Sequence, residues 1–428
     1  MPDLNSCTVK NDINLLKIGT FSFNVRWFNV VTALAMIALI CHLYGYTKTS
    51  QHLFITGLAI FLSATVFMVM RIIVFSRNTL NELLNPENTL YLHTIVGTVN
   101  LVGVCLSRIF HWYTTANILW YAGIALWVGI SLATFTILFL CQKPEDRKIE
   151  EVLHGGWFFA TLSTQSTVFL GTIIMEQTTG HTLIIQLLSF ALWSIGVWLY
   201  LILSSIIFLR LFFCKFSDIT TISPYWMNVG AAAATALAGI SLYQHIQIAG
   251  GPFLDFLPFL KGMSLFFWSI GLWWLPFLLI LAVVKQKFRT GELVFTVGYW
   301  EIVLTLGLYA TGTGQLSHVF EGQYLPLISQ CFSLSSIMLG CFLSLFTVVH
   351  LVRSSIWVPM NELTINDVVP YSFKLSGRVF FVKEVVSEWL DQNVMGVSQK
   401  CYKIVTRENL TGLVSYNTKS KKWYFDAD

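Results

Sequence analysis

Glu301 stands inside the apolar stretch VGYWEIVLTLGLYATGTGQL (297–316). A carboxylate in a run of this kind is costly in a bilayer and faces a cavity or a partner. Near a helix N-terminus its charge is also stabilised by the backbone dipoles. It is a candidate for a charged pore mouth or for carrying a proton. Other chemistry is sparse. Glu150, Glu151 and His154 come nearest to a catalytic cluster, but they sit beside Arg147 and Lys148 in what reads as a polar loop. HExxH and GxxxxGK[ST] are absent, so neither a zinc hydrolase nor a nucleotide phosphate site is legible. His93, His154, His181 and His245 show no paired metal spacing. The 8 cysteines are scattered without CxxC and read as small buried hydrophobes. These absences predict a protein that is not an enzyme and holds no metal or cofactor.

A second group of polar residues has a different use. Thr161, Ser163, Thr164, Asn228 and Thr235 are hydroxyl or amide side chains within apolar runs. Such groups can touch a permeating ion without holding it tightly. Their other common use is hydrogen bonding between helices.

The elements that must position these residues are membrane helices. The 428-residue chain is 55% hydrophobic and 11% charged, where soluble domains carry about a quarter charged residues. A bilayer core needs about 20 apolar residues per helix. Ten runs satisfy this: 22–44, 53–75, 90–110, 116–141, 155–175, 183–213, 224–243, 259–284, 296–313 and 326–352. The N-terminal 20 residues are polar and do not read as a cleaved leader. Basic residues follow the even runs: Arg71 and Arg77; Lys143, Arg147 and Lys148; Lys215; Lys285, Lys287 and Arg289; Arg353. The positive-inside rule then places both termini in the cytoplasm of a multi-pass cell-membrane protein. The net charge of +4 gives no case for nucleic acid.

The runs repeat in pairs. LWYAGIALW (119–127), LWSIGVWL (192–199) and FWSIGLWWL (267–275) recur in the even runs. VRWFN, GGWFF, SPYWMN and VGYW open odd ones at Trp27, Trp157, Trp226 and Trp300. The spacing predicts five helical hairpins with a pathway along their shared axis. The odd runs are thin: ATLSTQSTVFLG (160–171), VGAAAATALAG (229–239) and LTLGLYATGTG (304–314). Small residues permit close packing or leave room for a pore. In the seventh run, Ala231, Thr235 and Gly239 form one stripe and Gly230, Ala234 and Ala238 the next; one should pack and the other border the pore.

PYWMNVGAAAATALAG closely resembles a signature of the tellurite-resistance/dicarboxylate transporter family, which includes a bacterial tellurite-resistance channel, fungal malate and sulfite exporters and plant slow anion channels. The ninth run is similar to the family's WW-x-x-x-F-P-L-G-x-Y segment, and the likeness extends over residues 20–353. The resemblance implies five odd helices lining a pore, five even helices outside them, and a homotrimer in the membrane lipid with one pore per subunit. It implies passage of small anions: chloride, nitrate, sulfite or dicarboxylates. It puts Leu304 where the family has a plugging phenylalanine and Thr305 where it has proline, with Gly307 and Tyr309 kept. The pore-lining candidates are then Thr161, Thr164, Asn228, Gly230, Thr235, Thr305 and Gly307, with Leu304 as the gate and Glu301 at the mouth.

Three domains are expected: a cytoplasmic segment 1–20, a ten-helix pore domain 21–353 and a cytoplasmic α+β module 354–428. In the module, KLSGRVFFVKEVVSEWLDQN reads as a strand running into a short amphipathic helix. Two or three strands follow, with NTKSKK as a turn. The reading is an anion channel or channel-like exporter. The alternative is a proton-coupled carrier of organic anions such as C4-dicarboxylates, with Glu301 as its best proton site.

Overall fold

The computed structural model describes residues 25–74, 86–140, 153–177, 182–213, 223–287, 297–321 and 323–356, and the backbone of five strands between 372 and 427. The chain divides into two compact units, Met1–Thr347 and Val348–Asp428.

The first unit is helical. Its helices are α1 (Trp27–Leu43), α2 (Thr47–Val74), α3 (His93–Phe110), α4 (Tyr113–Leu140), α5 (Phe158–Gln177), α6 (Thr182–Phe213), α7 (Trp226–Ala249), α8 (Leu257–Lys287), α9 (Trp300–Phe320) and α10 (Tyr324–Ile356). The last nine residues of α10 belong to the second unit. Single 3-10 turns lead into α3, α5, α7 and α9: Leu90–Leu92, Gly155–Trp157, Ser223–Tyr225 and Val297–Tyr299.

Seven of the ten helices, α2–α6, α8 and α10, are long and apolar enough to cross a membrane. The shorter α1 has 17 residues, and α7 and α9 fall outside that group. The reason is packing. In α7 every residue from Trp226 to Leu242 is buried by protein. A helix enclosed by other helices does not have to dissolve in lipid, so Gly, Ala and Thr replace Leu and Ile. Burial alternates accordingly. In α3 and α5, 83% and 89% of the apolar window is buried, against 11–39% in α2, α4, α6, α8 and α10. The latter five expose rows of large apolar side chains such as Ile55, Leu132, Trp198, Ile280 and Met338. An apolar surface of that extent is stable only against lipid or another apolar surface.

The odd-numbered helices close into a ring, α1 against α3, α3 against α5, α5 against α7, α7 against α9 and α9 against α1. The even helices pack outside. Their tryptophans anchor them: Trp120 Nε1 donates to the Thr167 carbonyl at 3.0 Å, and Trp193 Nε1 to the Thr235 carbonyl at 3.1 Å. Glycine makes each approach possible. A Cβ on Gly171 would crowd Trp120 and Ser189; one on Gly239 would crowd Trp193 and Ser264. The same contact thus recurs between α4 and α5 and between α6 and α7. On α10, Ser329 and Ser336 donate to the carbonyls of Ala310 and Val303 at 2.7 and 3.0 Å, holding it to α9.

In the second unit the strands β1 (Ser372–Leu375), β2 (Arg378–Gln392), β3 (Ser398–Thr406), β4 (Thr411–Asn417) and β5 (Lys422–Ala427) form an antiparallel meander in chain order. This corrects the expected short helix: RVFFVKEVVSEWLDQ is one long strand, with bulges between Val382 and Glu384 and between Val385 and Ser387. Its apolar spacing fits one face of a helix, but Val and Phe favour strand and β3 pairs with most of its length. Among the described residues the module is therefore all β, not α+β. Three strands follow it, and residues 418–421 of the expected turn lie outside the described residues.

Candidate functional site

Inside the ring lies a narrow cavity of about 50 Å³. Every odd helix contributes to its wall. From α1 come Asn29, Thr32 and Met36; from α3, His93, Thr94, Gly97, Leu101 and Val104; from α5, Phe159, Leu162, Ser163, Gln165, Ser166 and Phe169; from α7, Ala234 and Leu237; from α9, Leu304 and Leu308. A wide vestibule of about 930 Å³ is lined by residues nearer the C-terminal ends of the same helices, including His42, Arg108, Glu176, His245 and His318. All five odd helices therefore run in one direction, from cavity to vestibule. Val104, Phe169 and Leu237 belong to both walls and form an apolar neck between them.

The cavity is polar at one end and apolar at the other. The polar side chains come from the first turns of α1 and α3 and the first half of α5. Met36, Leu101, Val104, Phe169, Leu237, Leu304 and Leu308 make up the apolar part. Among the described residues, no lysine or arginine lines it. The five odd helix N-termini lie toward its polar end, and their backbone N–H groups give that end a partial positive charge. In the vestibule Arg108 pairs with Glu176 at 2.7 Å, both about 40% exposed, an ion pair worth little in stability.

Glu301 is fully buried in the first turn of α9. Its Oε1 accepts from Asn29 Nδ2 at 3.2 Å, while Oε2 has no hydrogen-bond partner. Asn29 in turn lines the cavity, so the carboxyl stands one residue behind its wall. Arg26, just before α1, bonds the Tyr91 hydroxyl and lies over its ring.

Leu304 lines the cavity, one turn before Leu308. The structure does not bring the other expected lining residues to that wall. Thr164 Oγ1 donates to Ala160 and accepts from Trp127 at 2.8 Å, so it faces α4. Thr235 Oγ1 donates to Ala231, and its carbonyl receives Trp193 from α6. Gly230 opposes Thr305, whose hydroxyl lies between the carbonyls of Trp226 and Glu301 at the α7–α9 contact. Gly307 makes room for Met36 and Ser336. Thr161 and Asn228 are buried with unpartnered polar atoms. Hydroxyls in odd helices serve packing as readily as permeation, and sequence alone does not separate the two uses. Glu150, Glu151 and most of the loop basic residues lie outside the described residues.

Sequence reasoning missed Asn29, Thr32, His93, Gln165 and Phe169. His93 has no sequence partner at metal spacing. Its signal was its place among small residues in TLYLHTIVGTVNLVG (89–103), at the start of a thin odd helix.

Comparison with known proteins matches most of the chain to one family. A model described as "Voltage-dependent anion channel" (SLAC1) covers residues 22–354, where the resemblance led us to expect 20–353. The chain is 24% identical over 325 residues to "Uncharacterized transporter MJ0576" of Methanocaldococcus jannaschii, covering 74% of this chain and 88% of that protein. It is 23% identical over 341 residues to "Sulfite efflux pump SSU1" of Trichophyton rubrum, again 74% and 88%. Seven of its helices are apolar enough to span a bilayer, the family model covers more than three quarters of its length, and its helices enclose an axial cavity. This chain is a multi-pass membrane protein that belongs to the voltage-dependent anion channel family.

Proposed function

We propose that the protein passes small anions along the axis of its five-helix ring, as a channel or channel-like exporter. The observation that carries this reading is the cavity lined by all five odd helices, polar at one end and closed from the vestibule by an apolar neck. A ring of apolar side chains closes a pore by dewetting. Helix N-termini at the polar end lower the barrier for an anion without a fixed cation that would trap it. Leu304 and Leu308 lie in the apolar part, so the constriction runs from Leu304 to the neck. The recurring Trp–Gly contacts support five hairpins built on one plan. Sulfite efflux by relatives puts sulfite among the candidate anions beside chloride, nitrate and dicarboxylates. A trimer in the cell membrane, one pore per subunit and both termini cytoplasmic, completes the reading; the exposed even helices supply apolar surface for lipid and for neighbouring subunits.

The test is current recording from purified protein in planar bilayers under gradients of different anion salts. Reversal potentials should follow the anion gradient. Potentials that follow the cation gradient, or no current from folded protein, overturn the reading.

Glu301 favours a second reading, the proton-coupled carrier, because a fully buried carboxyl with an unpartnered oxygen stands directly behind the cavity wall. The two readings differ for Glu301→Gln. A channel loses a repulsive charge near its entrance, and anion current rises severalfold with its voltage dependence otherwise kept. A carrier loses its proton site, and uptake no longer responds to a pH gradient across the vesicle. We expect the first result in vesicle flux and bilayer assays.

A further inference from the structure

At the polar end of the cavity the serine and threonine hydroxyls have their hydrogens engaged by backbone carbonyls, while Asn29 and Gln165 each engage one amide N–H and keep the other. Thr32 donates its hydroxyl hydrogen to the Phe28 carbonyl at 2.7 Å, and Thr94 to Tyr91 at 2.7 Å. Ser163 donates to Ala160 at 2.9 Å, and Ser166 to Ser163 at 2.7 Å. Each hydroxyl thereby keeps lone pairs and no free hydrogen. Gln165 directs its amide N–H toward the Trp193 carbonyl at 3.3 Å and leaves Oε1 unpartnered.

His93 completes the pattern. It is 1% exposed, it lines the cavity, and its Nδ1 lies 2.8 Å from Ser163 Oγ. Ser163 has one hydrogen, and the Ala160 carbonyl lies 2.9 Å from its hydroxyl; with the hydrogen there, Nδ1 of the neutral ring carries the proton and donates to Ser163, and this is the tautomer the inference assigns. Nε2 is then a bare acceptor with no partner in the protein. The ionisable groups near this end are Glu301 on α9, behind Asn29; Arg26 before α1, bonded to Tyr91; and His154 before α5, stacked on Tyr91. Of these three described groups, none lines the cavity, nor does Tyr91.

A buried acceptor without a donor carries the full cost of its desolvation, and a ligand that supplies the donor recovers it. Chloride and nitrate bring no hydrogen. An oxyanion that retains one acidic proton brings an O–H for Nε2 and spreads its single charge over its other oxygens. We infer that His93 Nε2, held by Ser163, is the contact residue of a subsite for small monoprotonated oxyanions of the hydrogensulfite or hydrogencarbonate class. The inference rests on axial anion passage and adds the form in which the anion travels: with its proton. No covalent step is involved; the O–H of the anion donates to Nε2 and is released with the anion.

The experiment uses the full chain in liposomes at one mildly acidic pH, with hydrogensulfite and nitrate fluxes measured on the same preparation. The wild type should prefer hydrogensulfite, and His93→Phe should lower the hydrogensulfite-to-nitrate ratio about tenfold, the equivalent of about 1.4 kcal/mol. Size exclusion before reconstitution and the protein content of the vesicles report that the variant is folded and inserted. His93→Gln, which keeps an acceptor, should recover part of the ratio, and Ser163→Ala should lower it by freeing the ring. Should His93→Phe fail to insert, the Ser163→Ala and His93→Gln ratios decide. Unchanged ratios, or equal loss of both fluxes in inserted protein, overturn this inference and leave the proposed function standing. Wild-type protein that is folded and passes neither anion overturns both.

Discussion

Phe169→Ala should raise anion current through the reconstituted protein about tenfold, which corresponds to lowering the barrier by about 1.4 kcal/mol. Phe169 is the bulkiest of the three residues shared by cavity and vestibule; Val104 and Leu237 are the others. Here the axial path changes from a space of about 50 Å³ to one of about 930 Å³. Water and ions leave a narrow apolar neck because nothing there replaces their hydration. Removing the ring widens the neck and lets water bridge it. Leu304→Ala should act in the same direction with a smaller effect, because Leu304 lines the cavity and not the neck. The ordering distinguishes a neck on α5 from a plug on α9, where the resemblance put the gate. Single-channel recording at matched protein density checks both variants. Wild-type conductance in Phe169→Ala would show that the neck does not limit passage.

Gly155→Ala should abolish folded, detergent-stable protein. Gly155 opens the turn Gly155–Trp157 before α5, and a Cβ there would overlap the carbonyl of Pro224 and the amide nitrogen of Tyr225. Those atoms belong to the turn Ser223–Tyr225 before α7. They are backbone, so no rotamer change relieves the overlap, and two inner helices must separate at their N-terminal ends. Overpacking of this kind costs about 3 kcal/mol or more. Gly262→Ala on α8 is the control, since a Cβ there meets nothing within 4 Å. Fluorescence-detected size exclusion after heating separates them: the Gly262 variant should match the wild type, and the Gly155 variant should aggregate. A Gly155 variant as stable as wild type would mean that the two turns do not need this contact.

Much of the helical architecture could be read from the chain because the bilayer imposes it. A membrane leaves backbone groups few ways to be satisfied, so a run of about 20 apolar residues commits to helix. The division into thin odd and bulky even helices was equally legible. LWYAGIALW and LWSIGVWL carry the tryptophans that anchor α4 and α6, and ATLSTQSTVFLG and VGAAAATALAG carry the glycines those two anchors need. The tail was less legible. RVFFVKEVVSEWLDQ fits a helical face by spacing, and only its pairing with β3 settles it as strand.

The side chains facing the axis were a different matter. On α7 the sequence determined two stripes of small residues; the structure turned Ala234 to the cavity, Gly230 to Thr305, and Thr235 and Gly239 toward Trp193. Residue type determined that these helices are thin and inner. Helix rotation decided which face meets the axis, and rotation is set by contacts between residues far apart in the chain. Asn29 and Glu301 meet across 272 positions, and His93 and Ser163 across 70. No local pattern encodes such meetings, so the class and general plan of this protein lie in its sequence, while the lining of its axis exists only once the five helices have closed their ring.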